Sequence, residues 1–171
     1  GGPGRQRLPL VALLAGQGAV VGVRTADCVP LLMADPESRR VAAVHAGWRG
    51  VCAGVVGQGV RALAQAAGAP VTRLVVAIFP HIRSCCFEVG PEVAAQLRAA
   101  VPGRSSAAPG PRGRPHVALD GLVRAQLTAA GVAAERIADV DGCTACDATR
   151  FFSFRRDGRA SGRHLAVIMA G

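Results

Sequence analysis

The sequence predicts a single mixed α/β domain, and three observations predict it. Short Val- and Leu-rich runs of strand length alternate with stretches whose apolar residues recur at three and four positions. The 171 residues fit one domain, and half of them are hydrophobic, enough to bury a core without disulfide staples.

Taken in order, residues 1–9 are rich in Gly, Pro and Arg and are expected to be loose. Leu10 to Leu14 is a short apolar stretch and Gly16-Gln17-Gly18 a turn. Ala19 to Arg24 reads as a buried strand from its valines. A second strand runs from Pro30 or Leu31 to Ala34 and a third from Arg40 to His45, joined by the turn Asp35-Pro36-Glu37-Ser38. From Val51 to Ala67 the apolar residues fall on one helical face, and Gly68 ends the helix. Its glycines 54, 57 and 59 lower its intrinsic stability, so tertiary packing must hold it. Leu74 to Phe79 is a buried strand stopped by Pro80, and Pro91 opens a helix to about Ala100. Residues 102–115 (PGRSSAAPGPRGRP) are expected to form a flexible loop. Asp120 or a near neighbour is placed as the cap of a helix through Ala130, terminated by Gly131. Ile137 to Val140 is a short strand leading to Cys143. Phe151 to Arg155 and His164 to Met169 read as a closing pair of strands around Asp157-Gly158.

The formal charge of +9 suits an anionic ligand. Nucleic acid is set aside as a partner: aromatics are only 4% of the chain, too few for a stacking platform, and no helix carries a basic stripe. Every basic residue is arginine, and Lys, Asn and Tyr are absent, a bias that a G/C-rich genome explains. No run is long enough to span a membrane. Arg5-Gln6-Arg7 followed by Leu8 to Ala15 mimics a short signal peptide, but the run holds Pro9, so it is read as strand and loop. Six cysteines in a chain of this size do not make a small secreted scaffold. Reduced thiols in a cytoplasmic protein are expected.

Two segments carry most of the chemistry: Arg24-Thr25-Ala26-Asp27-Cys28-Val29-Pro30 and His45-Ala46-Gly47-Trp48-Arg49-Gly50. Neighbouring strands would bring Cys28 and His45 together. One reading makes Cys28 a small buried hydrophobe. A second makes the pair two ligands of a zinc site, which needs a third protein ligand and an open position; His81 and Cys86 are candidate third ligands. A third reading makes Cys28 a nucleophile with His45 as its base. Gly47 and its neighbours at a helix start offer backbone donors, and Arg49 suits a phosphate or carboxylate. Asp27 and Glu88 are candidate general base and acid, or structural partners for Arg24 and Arg49. Cys85-Cys86 and Cys143-x-x-Cys146 invite metal or redox readings, including a four-cysteine zinc site, although no spacing places the two pairs together.

These motifs, with Cys85-Cys86-Phe87-Glu88-Val89-Gly90, Cys143-Thr144-x-Cys146 and Phe151-Phe152-Ser153-x-Arg155-Arg156-Asp157-Gly158, occur in the order found in the YfiH/laccase-domain family, which the chain resembles from about residue 10 to its C-terminus. The resemblance implies a layered α/β/β/α fold with mixed sheets, and a single catalytic domain over residues 1–171 that is N-terminally incomplete. It implies a cytoplasmic zinc enzyme that converts adenosine, inosine and methylthioadenosine with phosphate to free base and sugar 1-phosphate, and that deaminates adenosine. Cys28 and His45 match two of three zinc ligands, for one zinc per chain. The third family ligand is a histidine upstream of Asp27-Cys28, and this chain begins after that point. On this reading Arg24, Arg49 and Gly47 bind substrate, and Asp27, Glu88 and Arg49 assist the reaction. Phe79 stands where the family usually has Gly, so the Ala77–His81 loop is expected to differ in shape. A multicopper oxidase needs about ten histidines; four are present, so copper is set aside. The alternatives are a metal-free cysteine hydrolase using Cys28 and His45, and a degenerate non-catalytic module.

Overall fold

The computed structural model describes residues 14–15, 18–104 and 107–171. The loose 1–9 segment, most of the Leu10–Leu14 stretch and Gly16-Gln17 lie outside them. In chain order the elements are β1 (Leu14–Ala15), β2 (Val20–Thr25), β3 (Val29–Ala34), β4 (Val41–Ala46), α1 (Trp48–Cys52), α2 (Val55–Ala67), β5 (Val75–Ile78), α3 (Pro91–Ala100), β6 (Ala107–Pro109), β7 (Pro115–Val117), α4 (Leu119–Ala129), β8 (Ile137–Asp139), α5 (Phe154–Asp157) and β9 (His164–Met169).

Strand β3 is the centre of a five-stranded mixed sheet in the order β1-β4-β3-β5-β8. Both its neighbours run antiparallel to it, and β8 is parallel to β5. Val29 to Met33 are all buried, because both faces of the strand are covered; this is why its sequence is continuously apolar rather than alternating. On one face Met33 reaches toward Gly59 of α2. On the other, Leu32 shares a cavity wall with Ala166 and Val167 of β9. Strand β9 pairs antiparallel with β2, so helices, main sheet and a two-stranded ribbon are stacked as layers.

The helix expected from Val51 to Ala67 is two helices. Gly54 adopts a left-handed conformation (φ 72°) that stops α1 and starts α2 at a new angle. Gly59 has a packing reason: a Cβ there would stand 2.7 Å from Val44 Cγ2, so its absence lets α2 lie close on β4. Val55, Val56, Val60 and Leu63 are buried against the sheet, which offsets the low propensity of the glycines.

Three further expectations are refined or corrected. The N-cap of α4 is Ala118, a near neighbour of Asp120, which itself lies inside the first turn, where its carboxylate is drawn to Arg83 at 2.9 Å. Within 102–115, expected as a flexible loop, β6 pairs with β7 as a hairpin, because Val117 is buried in the core and Gly113 turns the chain with a positive φ. Phe151 to Arg155 is not a strand. Ser153 caps α5 by accepting the Arg156 N–H, and the chain turns before β9 begins. The outward side of β9 carries Leu165, Val167 and Met169, all exposed.

Candidate functional site

The antiparallel register of β3 and β4 sets Pro30 opposite His45. Cys28, immediately before β3, and His45, next to the end of β4, therefore meet at one edge of the sheet. Gly47 closes the space between them: a Cβ there would stand 2.9 Å from Cys28 Sγ and 3.9 Å from His45 Nε2. Both donors thus face one point that only a glycine leaves open.

Asp27 holds a left-handed backbone conformation (φ 86°), uncommon for a non-glycine residue. Three contacts fix it. Its Oδ1 accepts the Thr144 hydroxyl at 2.7 Å, its Oδ2 accepts the Arg155 backbone N–H at 2.6 Å, and its carbonyl accepts the Ile82 N–H at 2.9 Å. A cavity of about 330 Å³ opens over this group, lined by Arg24, Asp27, Cys28, His45, Ile82, Phe87, Phe154, Arg155 and Arg163 among others. Arg24, Arg155 and Arg163 have no carboxylate within salt-bridge distance among the described residues. Arg155 is instead held by the carbonyls of Cys86 and Glu88, which leaves its charge uncompensated. The cavity is small, electropositive and walled by aromatic rings.

Burial pushes the Cys28 thiol up to about 11; the Asp27 charge adds to this and Arg163 opposes it. Burial also lowers His45. Both groups are therefore uncharged at neutral pH without a metal. The donor types suit zinc, and the open space over Gly47 suits a bound ion, but this pair supplies two ligands. The candidate third ligands are elsewhere: His81 is buried with Nδ1 on the Phe79 carbonyl, and Cys86 lies among other cysteines. Among the described residues, the one group of three or more candidate metal ligands is the four-cysteine cluster, and no such group includes Cys28 and His45. The four histidines stand apart: His116 is bound to the Ser84 carbonyl and His164 to the Phe152 N–H.

Of the other expected site residues, Arg24 and Asp27 line the cavity and Gly47 adjoins it. Glu88 does not line it; it pairs with Arg112 at 3.0 Å, which holds its carboxyl below its ordinary range. Arg49 also lies outside the lining and stacks over Trp48 at 4.3 Å. Arg155, although part of the Phe151–Gly158 motif, was not assigned to the site, and neither were Phe154 and Arg163. They reach the cavity from α5 and the segment before β9. A separate group, Cys85, Cys86, Cys143 and Cys146, brings four sulfurs within 4.8 Å of one another, a cluster that can hold a metal ion.

Comparison with known proteins follows the same lines. Residues 12–171 match the family model described as multi-copper polyphenol oxidoreductase laccase. The chain is 40% identical over 158 residues to adenosine deaminase RL5 from an unknown prokaryotic organism, covering 89% of this chain and 58% of that protein. It is 41% identical over 154 residues to a purine nucleoside phosphorylase of Deinococcus radiodurans, covering 90% and 58%. The crystal structure of YlmD from Geobacillus stearothermophilus superposes with a TM-score of 0.87 at 33% identity, over 94% of this chain and 60% of that one. The chain thus spans about three-fifths of the length of these relatives.

Proposed function

We propose that this chain, which belongs to the family described as multi-copper polyphenol oxidoreductase laccase, forms the catalytic part of a zinc-dependent purine nucleoside phosphorylase that also deaminates adenosine. The observation that carries the reading is the cavity itself, where a soft donor pair, uncompensated arginines and aromatic walls converge. Relatives named adenosine deaminase and purine nucleoside phosphorylase support it.

Cys28 and His45 would hold the zinc together with a donor from outside these residues. Bound zinc supplies Lewis-acid activation of water, the chemistry deamination requires. Arg24 and Arg163, free of carboxylate partners, are suited to phosphate. Phe87 and Phe154 line the cavity and offer apolar aromatic surface to a purine. Asp27, although both its oxygens accept hydrogen bonds, keeps lone pairs for exchanging a proton with substrate. Arg49 and Glu88 take no part in this assignment. The free cysteines suit a reducing cytoplasmic setting, and no helix among the described residues is long and apolar enough to cross a membrane.

A metal-free cysteine hydrolase is less well supported. That chemistry needs a thiolate beside an imidazolium, and burial here favours the uncharged form of both. Copper oxidase chemistry would need a histidine cluster, and the four histidines are dispersed.

The test is product analysis with and without phosphate. Inosine is expected to yield hypoxanthine and ribose 1-phosphate only when phosphate is present, and adenosine to yield inosine in its absence. Base release that ignores phosphate would refute phosphorolysis, as would zinc-bound protein that cleaves no purine nucleoside.

A further inference from the structure

We propose that Cys85, Cys86, Cys143 and Cys146 form a closed structural zinc site, distinct from the Cys28–His45 pair, that clamps the loop after β5 to the loop after β8. The four sulfurs lie within 4.8 Å of one another. Individual separations are 3.3 Å for Cys86–Cys146, 3.4 Å for Cys85–Cys146 and 3.6 Å for Cys85–Cys143. A tetrahedral zinc with Zn–S bonds of about 2.3 Å requires S···S edges of about 3.8 Å. The thiols are therefore already close to the required tetrahedron. They are free thiols rather than disulfides, whose sulfurs stand about 2.05 Å apart.

The backbone is arranged as such sites need. The Cys143 sulfur receives the Arg83 N–H at 3.4 Å. Backbone donors of this kind stabilise a thiolate ligand. The two loops are registered by a parallel bridge between His81 and Cys143 and by the Thr144 N–H on the His81 carbonyl. Core packing does not account for the cluster, since Cys85 and Cys146 are exposed. With four thiolates no coordination position is left open, so the role is structural rather than catalytic.

The location gives the clamp its consequence. Thr144, between two of the ligands, holds Asp27 Oδ1. The Cys86 carbonyl accepts from Arg155, whose own N–H holds Asp27 Oδ2, and Phe87 lines the cavity. Zinc binding here fixes the wall on which Asp27 and Cys28 sit.

The decisive experiment is elemental analysis of the full chain, purified under reducing conditions, as wild type, Cys28→Ser and the double variant Cys143→Ser/Cys146→Ser. Cys28→Ser is expected to retain about one zinc per chain, and the double variant to lose it. Because the double variant risks misfolding, cobalt is also added to metal-stripped wild type and Cys28→Ser. Both should give the intense sulfur-to-cobalt charge-transfer and d–d bands of a tetrahedral tetrathiolate. Four results would each overturn the proposal: Cys28→Ser protein without tightly held metal, a cobalt spectrum with fewer than four thiolates, iron in place of zinc, or disulfides among these cysteines in the reduced preparation.

Discussion

Gly47→Ala is the sharpest single perturbation of the site. The glycine has φ −78° and ψ 168°, extended values that alanine adopts freely, so the substitution adds no backbone strain. What it adds is a methyl group 2.9 Å from Cys28 Sγ and 3.8 Å from Cys28 Cβ. Ordinary contact at such a position starts near 3.4 Å, so the sulfur must retreat by about half an ångström, away from the point it shares with His45. Overpacking of this kind costs about 1–3 kcal/mol. For a chain of this length that lowers the melting temperature by about 2–12 °C. Displacing a ligand or reacting group by a fraction of an ångström also costs rate, up to about 100-fold for a full ångström. A fall of at least about tenfold in kcat/KM for inosine is therefore expected. The assays are thermal unfolding and phosphate-dependent hypoxanthine release. A variant that melts with the wild type and keeps its activity would show that Cys28 and His45 do not need the space over Gly47.

Gly121→Ala in α4, whose new Cβ would meet only Ala118 Cβ at 3.8 Å, serves as the contrast. It should raise stability by about 0.5–1 kcal/mol in denaturant titration and leave activity unchanged; destabilisation would contradict the helix packing described. Asp35 is buried, and the Arg73 guanidinium, assisted by Ser38, holds its carboxyl well below the usual carboxylate range. A depressed acid contributes stability that is complete above its unfolded pKa and is lost as pH falls. The wild type should therefore lose melting temperature relative to Asp35→Asn below about pH 4, and parallel curves would refute the pairing. In metal-stripped protein, alkylation of Cys28 should still climb about tenfold per pH unit where an ordinary thiol has levelled off, because burial holds it at about 11. A plateau in the ordinary thiol range would contradict this.

The Cys28–His45 pairing was legible because it depends on local features only: two adjacent apolar runs joined by a short turn. Asp35 accepts the Ser38 N–H through Oδ2, closing that turn, and the register follows. A four-cysteine site was among the readings of the two cysteine pairs, but their meeting was not legible, since the halves come from segments some sixty residues apart in sequence and meet through the parallel placement of β8 beside β5. Phe151 to Arg155 was misread because an aromatic run resembles a strand, while the Ser153 cap that turns it into a helix depends on one side chain. Arg155 and Arg163 escaped notice for a related reason. In a chain whose basic residues are all arginine, the two that face the cavity look like the rest until the fold positions them.

The measurement that bears most directly on the account is phosphate-dependent hypoxanthine release from inosine by wild type, Cys28→Ser and His45→Ala, each shown to be folded and to retain the metal of the four-cysteine cluster. The account predicts that both substitutions abolish base release while that metal remains. Undiminished turnover in either variant would contradict the assignment of the Cys28–His45 cavity as the active centre.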